Sequence, residues 1–247
     1  MIFDSEESNH LARVLKKKSG ARINAFDEDG KSYLLELTDC ADPAAVQAKI
    51  ISANASDANA PDANAFNANE SGLLRRNFPL PRLILCPALI KLPRFEWLLE
   101  KSAELGVEAV QPIVTRRTIV HFSEQQIATK VERWKKILIA AAKQCDRANL
   151  PSVSAPILFP NLLKNLQNQK SLILWENEKI NFLTGKKFET EFKTGEKIYL
   201  LTGPEGGFDP AEIEQSRQAN VAVFGLSTHI LRAETASIAA CSIILLR

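Results

Sequence analysis

The first apolar positions of the chain form two short runs on either side of an acidic turn. Residues 22–26 and 31–38 alternate or cluster apolar side chains, and Asp27-Glu-Asp-Gly30 separates them. Glycine at the end of such a turn accepts the positive φ that tight hairpins need. The pattern therefore predicts an antiparallel β-hairpin.

A short helix is predicted ahead of this hairpin, over residues 6–17. Within it, His10, Leu11, Val14 and Leu15 recur at the spacing of one helical face. Together these elements indicate a small β-rich domain over residues 1–77.

From residue 78 onward, apolar runs alternate with helical patterns. Strands are predicted at 82–86, 109–114, 152–157, 171–176, 197–202 and 221–226. Helices are predicted at 93–105, 123–149, 160–168, 210–220 and 234–247, with Gly106 ending the first of them. This alternation predicts an α/β fold with a mostly parallel sheet covered on both faces. Ligands of such sheets bind beyond the carboxyl ends of the strands, so the loops after Thr202 and Leu226 are the expected place of a site.

A low-complexity segment separates the two patterns. Residues 53–72 contain 7 Ala and 5 Asn in a near-repeat of five. Polar sequence of this kind has little apolar surface to bury, so we interpret it as an insertion at the end of the β-rich domain rather than as a structural repeat. The second domain is then expected over residues 78–247.

The composition is that of a globular protein. The 247 residues are 45% apolar and 24% charged, which excludes membrane-spanning, disordered and fibrous classes. The four cysteines are far apart and lack the spacing of a zinc site, so free thiols and no metal are expected. The N-terminus is acidic and has no apolar run, so no signal peptide is predicted, and a reducing cytoplasm is the expected location.

The net charge of +2 conceals a segregation along the chain. Residues 75–150 carry 14 basic and 7 acidic side chains, a net charge of +7. Such a block favours a phosphate-rich partner, although solvated helix faces would give the same pattern.

The first motif that could carry chemistry is a glycine-rich turn, Leu200-Leu-Thr-Gly-Pro-Glu-Gly-Gly-Phe-Asp209. Its three glycines let backbone groups approach a ligand without obstruction by Cβ. Asp209, Pro210 and Glu212 predict that a helix begins directly after it. The turn matches neither the dinucleotide-binding fingerprint nor the P-loop, and a tight loop without function is the alternative.

The second motif, Leu226-Ser-Thr-His-Ile-Leu-Arg-Ala-Glu-Thr-Ala236, is another strand-to-helix junction. An arginine near the carboxyl end of a strand can hold an oxyanion or a phosphate with a fixed fork of donors, which makes Arg232 a candidate. The alternative is that Arg232 and Glu234 form a local surface ion pair of little energetic weight.

The two motifs together carry a resemblance to a known family. The segments 201–208 and 231–236, preceded by Glu100-Lys-Ser-Ala-Glu-Leu-Gly-Val107 and by His10-Leu-Ala-Arg-Val-Leu15, resemble the RsmE family. These are uridine N3-methyltransferases of small-subunit ribosomal RNA and belong to the SPOUT class. The resemblance covers the whole chain except the Ala/Asn-rich insertion.

The resemblance implies an N-terminal PUA-like β-barrel and a C-terminal α/β domain with a deep trefoil knot. It also implies a homodimer, S-adenosylmethionine as methyl donor, and 16S ribosomal RNA, in the small subunit or its assembly intermediate, as partner. The implied cofactor-binding residues lie in three loops: Leu174, Trp175 and Glu176; Thr202, Gly203, Pro204, Glu205, Gly206 and Gly207; and Leu226, Ser227, Ile230 and Leu231, with Thr235 beyond them.

Methylation of uracil N3 removes the N3 proton and places negative charge on O2 and O4. A guanidinium near these oxygens would favour the anion, and we assign this role to Arg232 as a hypothesis. Glu205 and Glu234 are candidate bases, and bulk water is an open alternative.

The target base must leave its stack, and basic grooves would grip the flanking phosphates. The candidates for RNA contacts are Arg13, Lys16, Arg94, Arg116 and Arg147. His10 is a further candidate, although a single histidine on an apolar helix face more commonly packs against the protein. Lys16, Leu92-Pro93, Thr118 and Lys143 depart from the family pattern.

Two other functions remain open at this point. A SPOUT enzyme could methylate another RNA atom, such as a ribose 2′-hydroxyl. The chain could also be an RNA-binding assembly factor without catalysis, although the intact glycine turn and Arg232 argue against this.

Overall fold

The structure is a computed structural model that describes residues 2–26, 32–54, 81–145, 147, 149–193 and 195–246. The chain forms two compact units, the first of Met1–Arg75 with Ala148–Leu150, the second of Arg76–Arg147 with Pro151–Arg247. The predicted boundary between residues 77 and 78, the acidic turn at 27–30 and residues 55–72 of the predicted insertion lie outside the described residues.

The first unit contains an antiparallel sheet of β1 (Arg22–Phe26), β2 (Ser32–Asp39) and β3 (Gln47–Asn54), in that order. The pairing of β1 with β2 confirms the predicted hairpin. The sequence patterns did not indicate β3, which includes the first two residues assigned to the insertion. Leu35 and Leu37 of β2 and Ala48 of β3 are buried in the core of this unit, because alternate residues of a strand point to one face.

The predicted N-terminal helix is shorter than expected and changes type. It comprises α1 (Ser5–Asn9) and a π-helical turn over His10–Val14. A π turn is wider than an α turn, so side chains that would share an α-helical face are rotated apart. Leu11 is buried, whereas Val14 and Leu15 are 66% and 48% exposed, so the prediction of one apolar face is wrong.

The second unit is built on a parallel sheet. Among the described residues its strands are arranged in the order β11-β9-β10-β4-β5-β7. Their bounds are β4 (Arg82–Pro87), β5 (Ala109–Val110), β7 (Ser152–Val153), β9 (Lys170–Leu174), β10 (Lys197–Thr202) and β11 (Ala222–Phe224). This arrangement confirms the predicted α/β fold.

Two predicted strands are each split by a proline. Segment 109–114 contains β5 and β6 (Ile113–Val114), and segment 152–157 contains β7 and the start of β8 (Ile157–Leu158). Pro112 and Pro156 have no N–H to donate to a ladder, so regular pairing stops there. Strands β6 and β8 pair in parallel as a small separate ladder.

Helices follow most strands of this unit. They are α2 (Leu92–Leu105), α3 (Glu124–Gln144), α4 (Phe159–Asn165), α5 (Gly185–Glu191), α6 (Pro210–Gln218) and α7 (Ala233–Leu245). Gly106 ends α2 with a φ of 101°, as predicted. Capping boxes begin α3 at Ser123 and α6 at Asp209. The sequence patterns did not indicate α5, and α3 ends five residues earlier than predicted.

The sheet is buried on both faces because its strands alternate between two cores. Leu83 and Leu85 of β4 face the core shared with α2, α3, α5 and α7. Ile84 and Cys86 of the same strand face the core shared with α4 and α6. The loops at the carboxyl ends of the strands are therefore the exposed part of this layered arrangement.

No helix in the described part of the chain is long and apolar enough to cross a membrane. Among those residues, no three His, Cys, Asp or Glu side chains are grouped as metal ligands would be. The four cysteines are free, with Cys86 and Cys241 fully buried and Cys40 and Cys145 partly so.

Candidate functional site

A cleft of about 260 Å³ opens at the carboxyl edge of the parallel sheet. Its walls are the loops that follow β9, β10 and β11, three neighbouring strands. The lining residues are Leu174, Trp175, Glu176, Thr202, Gly203, Pro204, Glu205, Gly206, Gly207, Leu226, Ser227, His229, Ile230, Leu231, Ala233 and Ala236. The fold thus brings together the three loops named from the sequence, while Thr235 does not line the cleft.

Two glycines of the turn after β10 occupy positions that a side chain would obstruct. Gly207 has a φ of 68°, and a Cβ there would run into the carboxylate of Glu176. At Gly203, a Cβ would lie 3.1 Å from the ring of Phe208. The close approach of Glu176 to Gly207 joins the turn after β10 to the loop after β9.

Two loops outside the cleft form hydrogen bonds with the same glycine turn. The backbone N–H of Lys91, before α2, donates to Oε1 of Glu205 over 3.2 Å. Nη1 of Arg117, on the loop after β6, donates to the carbonyl oxygen of Gly206 over 2.9 Å. The turn is therefore fixed by two partners that lie far from it along the sequence.

The third wall of the cleft runs from Leu226 into α7. Among the described residues, the backbone N–H groups of Gly206, Ile230 and Leu231 form no hydrogen bond with the protein. Helix α7 begins without a side-chain cap, so its first N–H groups also remain available. The cleft therefore combines apolar walls with unused backbone donors and the positive end of a helix.

Arg232 is the N-cap residue of α7, between two residues that line the cleft. Its side chain is exposed, and it has no hydrogen-bond or ion-pair partner among the described residues. The predicted alternative, a pair with Glu234, is wrong, because Glu234 pairs with Arg94 instead.

Glu234 is only 7% exposed, and its Oε1 lies 3.6 Å from Nε of Arg94 on α2. Its Oε2 is buried and has no hydrogen-bond partner among the residues that the structure describes. A buried carboxylate oxygen without a partner is costly, so this atom is a natural acceptor for a donor from outside the chain. Glu205, by contrast, is exposed and already accepts the N–H of Lys91.

The residues predicted to contact RNA divide between the two units. His10, Arg13 and Lys16 are exposed in the first unit, so the expectation that His10 packs is wrong. In the second unit, Arg94 pairs with Glu234, and Arg116 is exposed beside Asp209.

Arg147 has a different environment from the other predicted RNA contacts. Its Nη1 donates to the carbonyl oxygens of Ala103 and Val107, each over 2.9 Å, at the end of α2. Burial lowers the pKa of its guanidinium. The structure therefore places Arg147 against the protein, where it satisfies terminal carbonyls of a helix.

Sequence reasoning missed three residues of the cleft: His229, Ala233 and Ala236. The two alanines have no polar group that would have indicated a role in binding. His229 had no partner in the sequence to indicate a role, although its position in the second motif was a signal. In the structure its Nδ1 lies 3.3 Å from the hydroxyl of Thr228.

Two family profiles match this chain. The profile of the RNA methyltransferase domain matches residues 76–245, and that of the RNA methyltransferase PUA domain matches residues 3–54. The PUA match begins near the start of the first unit, and the methyltransferase match begins at the start of the second. Together they account for most of the chain.

Individual relatives agree with these profiles. The chain is 27% identical to ribosomal RNA small subunit methyltransferase E of Bacillus subtilis, over 97% of this chain and 87% of that protein. It is 29% identical to the protein of the same name from Synechocystis, over 96% and 69%. A crystal structure of a ribosomal RNA small subunit methyltransferase E from Neisseria gonorrhoeae, bound to S-adenosyl methionine, covers 98% of this chain and 89% of its own. That structure has a TM-score of 0.72 and 26% identity.

Proposed function

This chain belongs to the RNA methyltransferase family that includes the ribosomal RNA small subunit methyltransferases E, and we propose that it methylates N3 of a uridine in 16S ribosomal RNA. The methyl donor in this proposal is S-adenosylmethionine, which a similar structure binds. The observation that carries the proposal is the cleft formed by the loops after β9, β10 and β11. A protein with this substrate would act in the cytoplasm.

The residues of the cleft fit the proposed donor. Gly207 has a φ of 68° that favours glycine, so backbone rather than a side chain forms this part of the wall of the cleft. The unused N–H groups of Gly206, Ile230 and Leu231 would donate to the nitrogen and oxygen acceptors of a nucleoside. The apolar side chains of Leu174, Leu226 and Leu231 would pack against the apolar surface of the bound cofactor.

When bound, S-adenosylmethionine would supply an electrophilic methyl group to N3, and its sulfonium sulfur would leave as a neutral thioether. The chain's own task is to hold the uracil in line and to stabilise the charge that appears on O2 and O4 as N3 loses its proton. Arg232 suits this task because it is exposed at the rim and no partner in the described chain occupies its guanidinium. The free N–H groups at the start of α7 add positive potential there.

The proton of N3 needs an acceptor, and the two candidate carboxylates differ. Glu234 has a buried oxygen without a partner, which favours it over Glu205, whose Oε1 already accepts a backbone N–H. Glu234 does not itself line the cleft, so it would have to accept the proton through a water molecule. Direct loss of the proton to bulk water is the competing route.

The candidates for RNA contacts are the exposed His10, Arg13 and Lys16 in the first unit and, in the second unit, the exposed Arg116 and the half-buried Arg94, which pairs with Glu234. Arg147 would contribute only through donors that its contacts with α2 leave free. Binding through phosphate contacts should weaken steeply as salt concentration rises. An affinity that is independent of salt would argue against an RNA substrate.

A homodimer and a trefoil knot are part of the same proposal. Ile238 and Ile243 of α7 are only partly buried, and Leu246 directly after the helix is 57% exposed, which supports contact with a second copy. A Cβ at Gly225 would run into the carbonyl oxygen of Glu178, so the last strand passes very close to the 176–183 loop. The knot itself is what the resemblance to the SPOUT class implies.

The decisive experiment compares ribosomal RNA from cells with and without this gene by mass spectrometry of nucleosides. The proposal requires 3-methyluridine to disappear from 16S ribosomal RNA and to return when the purified protein and S-adenosylmethionine are added. Loss of a 2′-O-methylated nucleoside instead would establish a different acceptor atom. Unchanged nucleosides, with no cofactor binding by calorimetry, would favour a non-catalytic assembly factor.

A further inference from the structure

The loop between β6 and α3 carries two adjacent arginines, and hydrogen bonds fix its backbone to the rest of the unit. Thr115 and Thr118 are buried, and the N–H of Thr115 donates to Oγ1 of Thr118 over 2.9 Å. The backbone N–H of Arg116 donates to Oε1 of Glu212 over 2.9 Å. The second oxygen of Glu212, a buried carboxylate, accepts the N–H of Asp209 over 2.9 Å. The loop is thereby fixed to the start of α6.

The side chains of the two arginines make different contacts. The side chain of Arg116 is 68% exposed, and its one polar partner in the described part of the chain is Asp209, with 3.4 Å between Nη1 and Oδ1. Arg117 contacts Asp209 from Nη2 over 3.6 Å and also donates from Nη1 to the carbonyl oxygen of Gly206. Its Cβ packs 3.5 Å from the position that a Cβ of Gly206 would occupy.

Arg117 binds a glycine segment, and glycine has the most flexible backbone of any residue. Gly206 and Gly207 have more conformations available than other residues, so ordering them around a ligand costs more entropy. A hydrogen bond from a charged donor to the carbonyl of Gly206 restricts this freedom before any ligand arrives. A cleft that is ordered in advance binds its ligand more tightly because less entropy remains to be lost.

We propose that Arg117 is a positioning residue that orders the Gly203–Gly207 turn for the methyl donor, although it does not line the cleft. The inference rests on the proposed function in that the ligand is S-adenosylmethionine. From the sequence, Arg117 was only one member of the basic block at residues 75–150, for which a phosphate-rich partner was expected. In the structure it also contacts the turn proposed to bind the cofactor.

The test compares Arg117→Ala with Arg116→Ala. Both variants remove one positive charge from the same loop and one partner from Asp209, but only the first removes the contact with Gly206. Calorimetry is expected to show an affinity for S-adenosylmethionine about tenfold weaker in Arg117→Ala and unchanged within about twofold in Arg116→Ala. Arg117→Lys, which keeps one charged donor, should recover part of the loss.

A second measurement does not depend on the cofactor. Hydrogen exchange of the turn in the free protein should be about tenfold faster in Arg117→Ala than in wild type or in Arg116→Ala, since the N–H of Gly207 bonds within the turn to Pro204. Melting temperatures of all variants should agree within about 2 °C, because neither arginine side chain is buried: Arg116 is 68% and Arg117 43% exposed. The maximal rate at saturating cofactor should fall less than the cofactor affinity does.

Equal affinity and equal exchange in Arg117→Ala and Arg116→Ala would overturn the inference. Equal weakening in both variants would do the same, because it would assign the effect to charge alone. If the wild-type protein binds no S-adenosylmethionine, the proposed function fails, and the exchange comparison in the free protein still decides the role of Arg117.

Discussion

Ser237 of α7 donates a 2.8 Å hydrogen bond from its hydroxyl to Oγ1 of Thr202, the last residue of β10. Both residues are 1% exposed. The bond joins the C-terminal helix to the strand that carries the glycine turn, so two walls of the cleft share one buried polar contact.

Ser237→Ala and Thr202→Val should each lower the free energy of unfolding by about 1 kcal/mol, because each leaves or removes a buried hydrogen-bonding group. The double variant should lose less than the sum of the two, with a coupling of about 0.5–1.5 kcal/mol in urea titrations. Strict additivity would mean that the contact contributes nothing.

Gly207→Ala should weaken the binding of S-adenosylmethionine about tenfold. The φ of 68° costs alanine about 1–2 kcal/mol, and the new Cβ would displace the carboxylate of Glu176, which lines the cleft. Gly206→Ala is the matched control, since its Cβ would lie at an ordinary distance from Arg117 and its φ needs no glycine. Calorimetry should therefore separate the two variants, and similar affinities would show that the turn adapts.

Arg232→Ala should lower the maximal rate of methylation by about 10²–10³-fold, the usual effect of removing one donor to a developing oxyanion. Cofactor affinity should change little, because Arg232 does not line the cleft. Lys136→Ala, which removes an exposed cation on α3, serves as the control for lost charge. Turnover that survives in Arg232→Ala would remove this residue from the mechanism.

The rate at which each cysteine reacts with a thiol reagent should show how well it is enclosed by the core. Burial raises the pKa of Cys241 to about 12 and that of Cys86 further, so neither forms the reactive thiolate at pH 8 while the protein is folded. Burial also raises the pKa of Cys145, which is only partly enclosed. With a thiol reagent at pH 8, Cys40 should react first, Cys145 more slowly, and the other two only in denaturant. Rapid labelling of all four would contradict the packed core.

The sequence predicted most accurately the elements whose limits depend on local chemistry. Strand β10 ends where its apolar run ends, and Gly106 and Asp209 mark helix termini that the structure reproduces. The cleft was anticipated because parallel strands deliver their carboxyl-terminal loops to one edge.

The errors arose where distant parts of the chain decide the outcome. Helix α3 stops at Gln144, after which Arg147 turns back to the carbonyls of Ala103 and Val107. Glu234 pairs with Arg94, a residue 140 positions earlier, rather than with its near neighbour Arg232. Such partners leave no periodic signal in the sequence, because only the folded chain brings them together.

The close pairing around Gly225 has a consequence for the time course of folding. Its N–H donates to the carbonyl oxygen of Asn181, and its own carbonyl accepts the N–H of Leu183, each over 2.8 Å. These segments must meet across a long stretch of chain, and contacts of large sequence separation form slowly. Because the cleft is incomplete until they meet, refolding protein should regain cofactor binding only after its helices have formed.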